Sequence, residues 1–394
     1  MKKILLLCPI YNEEVQVRDT MLKLKQYADN NLSAYEVCLA VVDNASKDRS
    51  PEICRNLEKE LSNFKYYRLE EKGRGLALNY IWRTADYDFA IYMDVDLSTG
   101  LDHILDSIKA FEAGADITYG SRKSKNSNVS GRNMKRTLTS WGYVNTVQFL
   151  SGSKISDFQC GFKGIRKDIA MKVMPIMQDR KWFFDTELLL SSEVLGYKVV
   201  EIPVEWKDDP DSTVKVLKDS NNMFQALINF LYKPSFNVYS EDRELNSKNI
   251  EFKRFQFLIF AFIGGTSFLI EYLISTLVFA FGFGSNSEIY VISKILTGYM
   301  FAAIIGYSIS AIYNFTLNKL ITFKTRLKNT RSEMLKFIIV VAFSGLILQN
   351  ILLYILVDLV NFNVNIAFIT KAILILIFNY FVHKYFTFKD SFLN

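Results

Sequence analysis

Four apolar stretches of roughly 20 residues or more follow one another after residue 250, and each is long enough to cross a bilayer as a helix. They cover about 255–282, 291–317, 335–360 and 364–386. Earlier in the chain the apolar runs have strand length and are interrupted by charges. We therefore expect a soluble domain over 1–235, a charged linker over 236–252 and an all-α domain of four transmembrane helices over 253–390.

The charges between these stretches are distributed unevenly. The loop after the second stretch and the end of the fourth are basic, with Lys319, Lys324, Arg326, Lys328, Arg331, Lys336, Lys384 and Lys389. The other two loops are acidic near their centres, at Glu288 and Asp358. Because cytoplasmic loops are enriched in Lys and Arg, we predict a multi-pass cell-membrane protein with both termini and the soluble domain in the cytoplasm.

One segment recurs inside the apolar half. Residues 313–324 (YNFTLNKLITFK) align with residues 378–389 (FNYFVHKYFTFK), so that Asn, Lys, Thr, Phe and Lys recur in register. Such self-similarity indicates two equivalent structural units. We expect two helical hairpins, each of which returns to the side on which it starts.

Charge and composition exclude several functions. The net charge is +6, but the basic residues flank the apolar stretches and form no stripe with aromatics, so we expect anionic lipid and no nucleic acid as partner. The four cysteines lack paired CxxC spacing, which fits a reducing cytosol. Since the chain has two histidines, any metal should be a hard cation held by oxygen ligands.

The soluble half shows the pattern of an α/β fold. Residues 3–8 (KILLLC), 36–43 (EVCLAVVD) and 88–95 (DFAIYMDV) are short apolar runs separated by amphipathic helical stretches, which favours a parallel sheet. The first run resembles a signal peptide but ends at Pro9, which is too soon, so we interpret it as a strand. Ligands of such sheets bind at the carboxyl ends of the strands, where Asp43 is expected.

A further helix is predicted at 221–232 (NNMFQALINFLY), with its apolar residues on one face. This helix could lie on the membrane surface. The alternative is that the same face packs on the soluble domain, and the pattern alone does not decide between the two.

The Asp94-Val95-Asp96 triplet at the end of the third run is a candidate metal site. Two carboxylates at a strand end can hold one Mg²⁺ or Mn²⁺, which in turn can neutralise a diphosphate leaving group. Taken alone the motif is weak, because Asp-x-Asp is common on protein surfaces.

Seven segments in order resemble the family 2 glycosyltransferases of the GT-A fold, and among them the polyprenyl-phosphate group that includes dolichyl-phosphate glucosyl- and mannosyltransferases. They are 9–14 (PIYNEE), 42–48 (VDNASKD), 72–75 (KGRG), 94–96 (DVD), 120–122 (GSR), 157–163 (DFQCGFK) and 184–188 (FDTEL). The resemblance implies an α/β, Rossmann-like mixed sheet that binds a nucleotide sugar.

The resemblance also implies a donor site. Its nucleoside pocket would be lined by Pro9, Tyr11, Glu13 and Asp43. Its phosphate contacts would come from Arg74, Asp94, Ser212 and Lys215, the last two in a mobile loop, with Asp94 and Asp96 as metal ligands. Alternatives are a loop-shaping role for Pro9 and Tyr11 and a helix-capping role for Asp43.

On the acceptor side the resemblance implies a lipid phosphate held by Arg122, Arg136 and Ser140. This phosphate is already ionised at neutral pH, so no strong base is needed. Trp141 and Val144 depart from the family pattern, and Arg136 could instead face lipid. The predicted catalytic residues are Asp96, Asp185 and Glu187, and helix capping is the alternative for the last two.

Residues 255–265 (FQFLIFAFIGG) and the two repeated endings resemble the GtrA-like family over residues 251–389. This resemblance implies movement of polyprenyl-linked sugars across the membrane. We therefore expect transfer of one hexose, from UDP-glucose in preference to GDP-mannose, to polyprenyl phosphate with inversion. The alternatives are a polysaccharide or glycolipid synthase, and a translocator whose soluble half binds its cargo. The sequence is also compatible with a homo-oligomer.

Overall fold

The computed structural model describes residues 1–131, 134–207, 216–232, 253–278, 280, 298–323 and 330–389. The chain divides into two compact units, Met1–Phe252 and Lys253–Asn394. The expected linker at 236–252 lies outside the described residues.

The first unit is built on a seven-stranded sheet in the order β3-β2-β1-β4-β7-β5-β8, accompanied by a two-stranded sheet of β6 and β9. The strands are β1 (Lys3–Ile10), β2 (Glu36–Asn44), β3 (Phe64–Leu69), β4 (Phe89–Met93), β5 (Ile117–Ser121), β6 (Asn128–Ser130), β7 (Phe162–Arg166), β8 (Val199–Pro203) and β9 (Glu205–Lys207). Strands β1 to β4 run parallel, with Ile10 opposite Asp43 and Leu7 opposite Tyr92. The carboxyl ends of these strands therefore share one edge of the sheet.

Helices cover both faces of this sheet. They are α1 (Val17–Asn31), α2 (Ser50–Glu60), α3 (Arg74–Thr84), α4 (His103–Glu112), α5 (Met134–Ser151), α6 (Lys167–Val173), α7 (Phe184–Val194) and α8 (Val216–Tyr232). Ile4 and Leu6 of β1 join one buried core with Met21 of α1 and Ile108 of α4. Because side chains alternate along a strand, Leu5 points to the opposite face, on which α3 packs.

Strand β7 makes the sheet mixed, because it lies antiparallel between β4 and β5. A side chain at Gly164 of β7 would place its Cβ 2.7 Å from Thr118 Oγ1 and 2.8 Å from the Phe111 ring. Glycine therefore lets this strand approach its neighbour and α4 closely. The apolar runs alone predicted a parallel sheet, whereas the mixed sheet implied by the resemblance is confirmed.

The second unit is helical within its described residues. Its helices are α9 (Lys253–Val278), α10 (Gly298–Leu317), α11 (Thr330–Phe343), α12 (Gln349–Tyr354) and α13 (Val364–Val382), with π-helical turns at Asn318–Thr322, Ser344–Leu348, Ile355–Leu359 and His383–Thr387. Two described segments, Arg254–Val278 and Ile369–Thr387, are long and apolar enough to cross a membrane. An aromatic cluster that includes Phe260, Phe315 and Phe388 forms a buried core.

The repeated segments occupy equivalent places in this unit. Each ends its hairpin in a π-helical turn that contains a buried lysine. Lys319, from the first hairpin, pairs with Glu333, the fourth residue of α11. Lys384, from the second hairpin, donates to Gln256, the fourth residue of α9, over 2.7 Å. Each hairpin thus contributes a buried lysine that binds a polar side chain of the other hairpin, which the sequence repeat did not reveal.

Candidate active site

The Asp94-Val95-Asp96 triplet follows β4 at the carboxyl edge of the sheet. Asp94 is half-buried and Asp96 is exposed. The chain turns sharply here, because Leu97 adopts a left-handed φ of 51° and its N–H donates to the Asp94 carbonyl over 3.1 Å. Asp96 Oδ1 accepts the N–H of Ser98 over 2.9 Å, which holds the second carboxylate at the turn.

These two carboxylates fit a hard cation. Among the described residues, no group of three or more His, Cys, Asp or Glu side chains could hold a metal by itself. Mg²⁺ and Mn²⁺ sites that act on diphosphates commonly combine one or two carboxylates with phosphate oxygens and water, so two suffice. Gly161 leaves space for one of them, since a Cβ at this position would lie 1.8 Å from Asp94 Oδ2.

Arg74, the first residue of α3, reaches the same carboxylate. Its Nη2 lies 2.7 Å from Asp94 Oδ1, and its Nε lies 3.6 Å from Asp185 Oδ2. The guanidinium carbon is 5.2 Å from the ring centres of both Tyr92 and Trp182. Burial opposes the charge on this group, but the two carboxylates outweigh that effect and raise the pKa of Arg74 well above its ordinary value.

The glycines on either side of Arg74 are explained by packing. A Cβ at Gly73 would lie 2.4 Å from the Arg180 carbonyl oxygen, and a Cβ at Gly75 would lie 2.6 Å from Phe184 Cβ. Both glycines thus let α3 begin directly against the segment that leads into α7. This contact places Arg74 at the start of the helix, beside Asp94.

Asp185 is the centre of a buried polar network. Lys163 Nζ lies 3.1 Å from its Oδ1, and the Tyr92 hydroxyl donates to the same oxygen. The Lys163 side chain is 0% exposed and that of Asp185 is 4% exposed. Lys163 also donates to the Cys160 carbonyl over 2.7 Å. These contacts join Asp185 to Lys163, Tyr92 and Arg74, and the catalytic role predicted for it stays a prediction.

Glu187 is also turned inward. Its carboxylate accepts the N–H groups of Gln178, at 3.0 Å, and Asp179, at 2.8 Å. Burial raises the pKa of Glu187 to about 7, against the lowering effect of these two hydrogen bonds. Glu187 therefore holds the segment that packs on Gly73, and the catalytic role predicted for it stays a prediction.

The capping alternative is not found for Asp185 or Glu187. The helix α7 begins at Phe184, whose N–H donates to Asp179 Oδ1 over 3.0 Å. Asp179 therefore performs the capping function that the sequence analysis had considered for its two neighbours. Burial raises the pKa of Asp179 as well.

The predicted nucleoside side lies at the ends of β1 and β2. The Lys72 ammonium is 3.2 Å from the centre of the Tyr11 ring, which adds Lys72 to the candidate residues on this side, although the sequence analysis did not assign it. Pro9 is buried within β1. The backbone N–H of Glu13 donates to Ser50 Oγ over 2.9 Å, which joins the loops after the two strands.

Asp43 is fully buried and organises the loop after β2. It accepts hydrogen bonds from Ser46 N at 2.8 Å, the Tyr66 hydroxyl at 2.7 Å and Arg68 Nη1 at 3.0 Å. Since α2 begins at Ser50, Asp43 stabilises a turn and caps no helix. The role predicted for Asp43 in the nucleoside pocket stays a prediction.

Arg122, predicted to bind the acceptor phosphate, forms a two-pronged pair with Asp157. Its Nε and Nη2 donate to the two carboxylate oxygens over 2.8 and 3.0 Å. Burial favours the neutral carboxyl, but the guanidinium prevails and lowers the pKa of Asp157 to about 2. The guanidinium carbon also lies 4.8 Å from the centre of the Trp206 ring. Several of the N–H donors of Arg122 are thus already bound to the Asp157 carboxylate.

Arg136 and Ser140 lie on α5, which carries an apolar stripe. Lys123 Nζ donates to the Ser140 carbonyl over 2.9 Å. This stripe, called the α5 stripe below, consists of large exposed side chains at helical spacing, namely Met134, Leu138, Trp141 and Phe149.

The sequence analysis had considered helix α8 for the membrane surface. In contrast to the exposed α5 stripe, α8 has three large apolar side chains that are buried. Leu227, Phe230 and Leu231 are buried, and the Phe230 ring meets the Phe183 ring edge-on at 6.0 Å. The packing alternative therefore describes this face. Phe224 remains exposed. The predicted loop residues Ser212 and Lys215 lie outside the described part of the chain.

Comparison with known families matches residues 6–174 to glycosyl transferase family 2. Residues 259–388 match the GtrA/DPMS transmembrane domain. Together with the two long apolar helices, the second match makes the chain a membrane protein.

Three individual proteins illustrate the likeness. The chain is 29% identical over 222 residues to the glycosyltransferase AglD of Haloferax volcanii, covering 56% of this chain and 35% of that protein, about a third of its length. It is 24% identical over 241 residues to a dolichyl-phosphate beta-glucosyltransferase of Dictyostelium discoideum, covering 57% and 72%. A glucosyl-3-phosphoglycerate synthase structure from Mycobacterium tuberculosis matches at 12% identity and a TM-score of 0.44, covering 61% and 80%.

These matches fall on the two units separately, and the first contains the Asp94-Val95-Asp96 triplet together with Arg74 and Lys163. The chain therefore carries a glycosyl transferase family 2 domain in its first unit and a GtrA/DPMS transmembrane domain in its second.

Proposed function

We propose that this protein transfers a single hexose from a nucleotide sugar to a polyprenyl phosphate, such as undecaprenyl or dolichyl phosphate, at the cytoplasmic membrane face. The observation that carries the proposal is the convergence of Asp94, Asp96 and Arg74 at the carboxyl edge of the sheet in a chain that also has a transmembrane domain. The product would serve a cell-envelope glycan or glycosylation. UDP-glucose is the favoured donor and GDP-mannose the second candidate, as the name of the Dictyostelium relative supports.

On the donor side, Asp94 and Asp96 would hold Mg²⁺ or Mn²⁺. A divalent cation at this site supplies charge neutralisation of the departing nucleoside diphosphate. Arg74 lies beside the same carboxylate and would contact the diphosphate directly. Tyr11 and Lys72 would bound the nucleoside, and Ser212 and Lys215 would close over the diphosphate from the loop.

On the acceptor side, an oxygen of the lipid phosphate attacks the anomeric carbon as the bond to the donor diphosphate breaks, so the configuration inverts. The phosphate is ionised at neutral pH, so this step requires no strong base. This fits the inward orientation of Asp185 and Glu187. Arg122, Arg136 and Ser140 would hold the phosphate, and the α5 stripe offers an apolar surface for the lipid chain on the same helix as two of them.

The topology proposed for the second unit is four spans with both termini in the cytoplasm. The basic loop between the two hairpins supports this orientation. The reciprocal pairing of Lys319 with Glu333 and of Lys384 with Gln256 supports two hairpins whose basic ends lie together.

The test is product formation by the full chain in detergent. Radiolabelled UDP-glucose and GDP-mannose are each supplied with Mg²⁺ or Mn²⁺ and undecaprenyl phosphate, and the lipid fraction is separated by charge. We expect one anionic glycolipid that contains a single hexose. A neutral or multiply glycosylated product would instead indicate a synthase, and binding of lipid-linked sugar without transfer would indicate a translocator.

A further inference from the structure

The Asp94 carboxylate is constrained from two directions. Its Oδ1 lies 2.7 Å from Arg74 Nη2. Its Oδ2 lies against the backbone of residue 161, where a Cβ would be 1.8 Å away. A divalent cation that takes this carboxylate must therefore share Oδ1 with a guanidinium or displace it. Like charges at such a separation repel strongly when water is largely excluded.

Arg74 has partners that would retain it after it leaves Asp94. Its Nε is buried without a hydrogen-bond partner among the described residues and lies 3.6 Å from Asp185 Oδ2. Its guanidinium also faces the rings of Tyr92 and Trp182. Asp185 is itself held by Lys163, so the network offers Arg74 only one shared carboxylate. A second anion beside Arg74 would restore the balance of charge.

We propose that Arg74 occupies Asp94 as an internal counter-cation and releases it when a nucleoside diphosphate takes the guanidinium, so that divalent cation and nucleoside diphosphate bind cooperatively. This inference rests on the proposed function, because it assumes that Asp94 and Asp96 hold the cation. The cation alone then binds weakly, since it competes with Arg74. By linkage, the cation strengthens binding of the diphosphate by the same factor as the diphosphate strengthens binding of the cation.

The experiment measures Mn²⁺ affinity of the full chain in detergent by electron paramagnetic resonance, which detects free Mn²⁺ without any enzyme turnover. Wild type is compared with Arg74→Gln and Arg74→Lys, each with Mn²⁺ alone and with saturating UDP or GDP. Arg180→Gln is the matched control, because it removes one positive charge that is 63% exposed and pairs with Glu71. Asp96→Asn identifies the binding that belongs to this site.

For Mn²⁺ alone, we expect Arg74→Gln to bind about tenfold more tightly than wild type, within the usual range of coupling between sites. Arg180→Gln and the charge-retaining Arg74→Lys should stay within about threefold of wild type. Wild type should bind Mn²⁺ at least about tenfold more tightly when UDP or GDP is present.

Unchanged or weaker Mn²⁺ binding by a folded Arg74→Gln overturns the inference, and so does wild-type Mn²⁺ affinity that neither nucleotide alters. The second result needs no variant, so it overturns the inference even if Arg74→Gln does not fold. If Asp96→Asn binds Mn²⁺ as wild type does, the metal site of the proposed function is wrong. If Asp96→Asn loses binding while Arg74→Gln equals wild type, only the inference fails.

Discussion

The Lys163 ammonium lies 3.1 Å from the Asp185 carboxylate, and neither side chain has more than 4% of its surface exposed. Removal of one partner leaves a buried charge with less compensation, which typically costs about 3 kcal/mol or more. We expect Lys163→Met to destabilise the first unit by about 3 kcal/mol. All four tryptophans lie in this unit, so thermal unfolding followed by tryptophan fluorescence reports on it selectively.

The control for Lys163 is Lys23→Met, which removes an exposed lysine of α1. That variant should unfold at the same temperature as the wild type. The double variant Lys163→Met with Asp185→Leu should recover part of the lost stability, because both charges are then absent. If Lys163→Met alone unfolded at the same temperature as the wild type, the assigned network would be contradicted.

Gly161 tests the placement of Asp94. In Gly161→Ala the new Cβ cannot remain 1.8 Å from Asp94 Oδ2, so the carboxylate must move. We expect Mn²⁺ affinity and transfer rate to fall by about tenfold or more, with about 1–3 kcal/mol lost from stability through overpacking. The matched control is Gly142→Ala in α5, where an added Cβ meets nothing within 4 Å. Equal Mn²⁺ affinity in both variants would show that Asp94 is not held as described.

Glu187 should make stability depend on pH. Its pKa of about 7 in the folded protein exceeds the ordinary value of 4.5, so the folded state binds the proton more tightly than the unfolded state. The contribution of Glu187 to the free energy of unfolding is therefore fully present below about pH 4.5 and is lost as the pH rises through 7, on the order of 3 kcal/mol. Fluorescence-detected unfolding of wild type and Glu187→Gln at several pH values measures this contribution. A constant difference between the two from pH 5 to pH 8 would refute the raised pKa.

The buried pair of Lys319 and Glu333 should stabilise the second unit only as a pair. Glu333→Leu leaves a buried lysine and should lower stability by about 3–5 kcal/mol, whereas Lys319→Met with Glu333→Leu should regain most of it. Loss of the helical circular-dichroism signal on heating in detergent provides the measurement. Arg331→Leu, at an exposed position two residues earlier, is the control and should resemble wild type. Equal loss in the single and double variants would argue against a paired anchor.

The sequence predicted those features that depend on local pattern. Apolar runs located β1, β2 and β4, and the end of the third run located Asp94 and Asp96 at the carboxyl edge. Long apolar stretches and a repeat likewise predicted a helical membrane unit, which the family match confirms.

The sequence did not predict contacts between distant segments. Arg74 meets Asp94, and Lys163 meets Asp185, only because β7 inserts antiparallel beside β4 and α7 packs on the start of α3. The buried contacts of Asp185 and Glu187 were not predicted for the same reason, since an acidic residue in a first helical turn has the same local pattern whether it faces a substrate or a buried lysine. Burial, which decides between these cases, is a property of the whole fold.

In the proposed function, Asp96 helps hold the divalent cation needed to transfer hexose to a polyprenyl phosphate. The most direct measurement is the amount of anionic glycolipid that the full-length wild type, Asp96→Asn and Asp86→Asn form from undecaprenyl phosphate and the preferred donor at saturating Mg²⁺. Asp86 is a surface residue whose side chain is 75% exposed, so Asp86→Asn matches the charge change away from the site. We predict that Asp96→Asn forms at least about a hundredfold less product while Asp86→Asn equals wild type. Undiminished product from Asp96→Asn would show that Asp96 holds no cation needed for transfer.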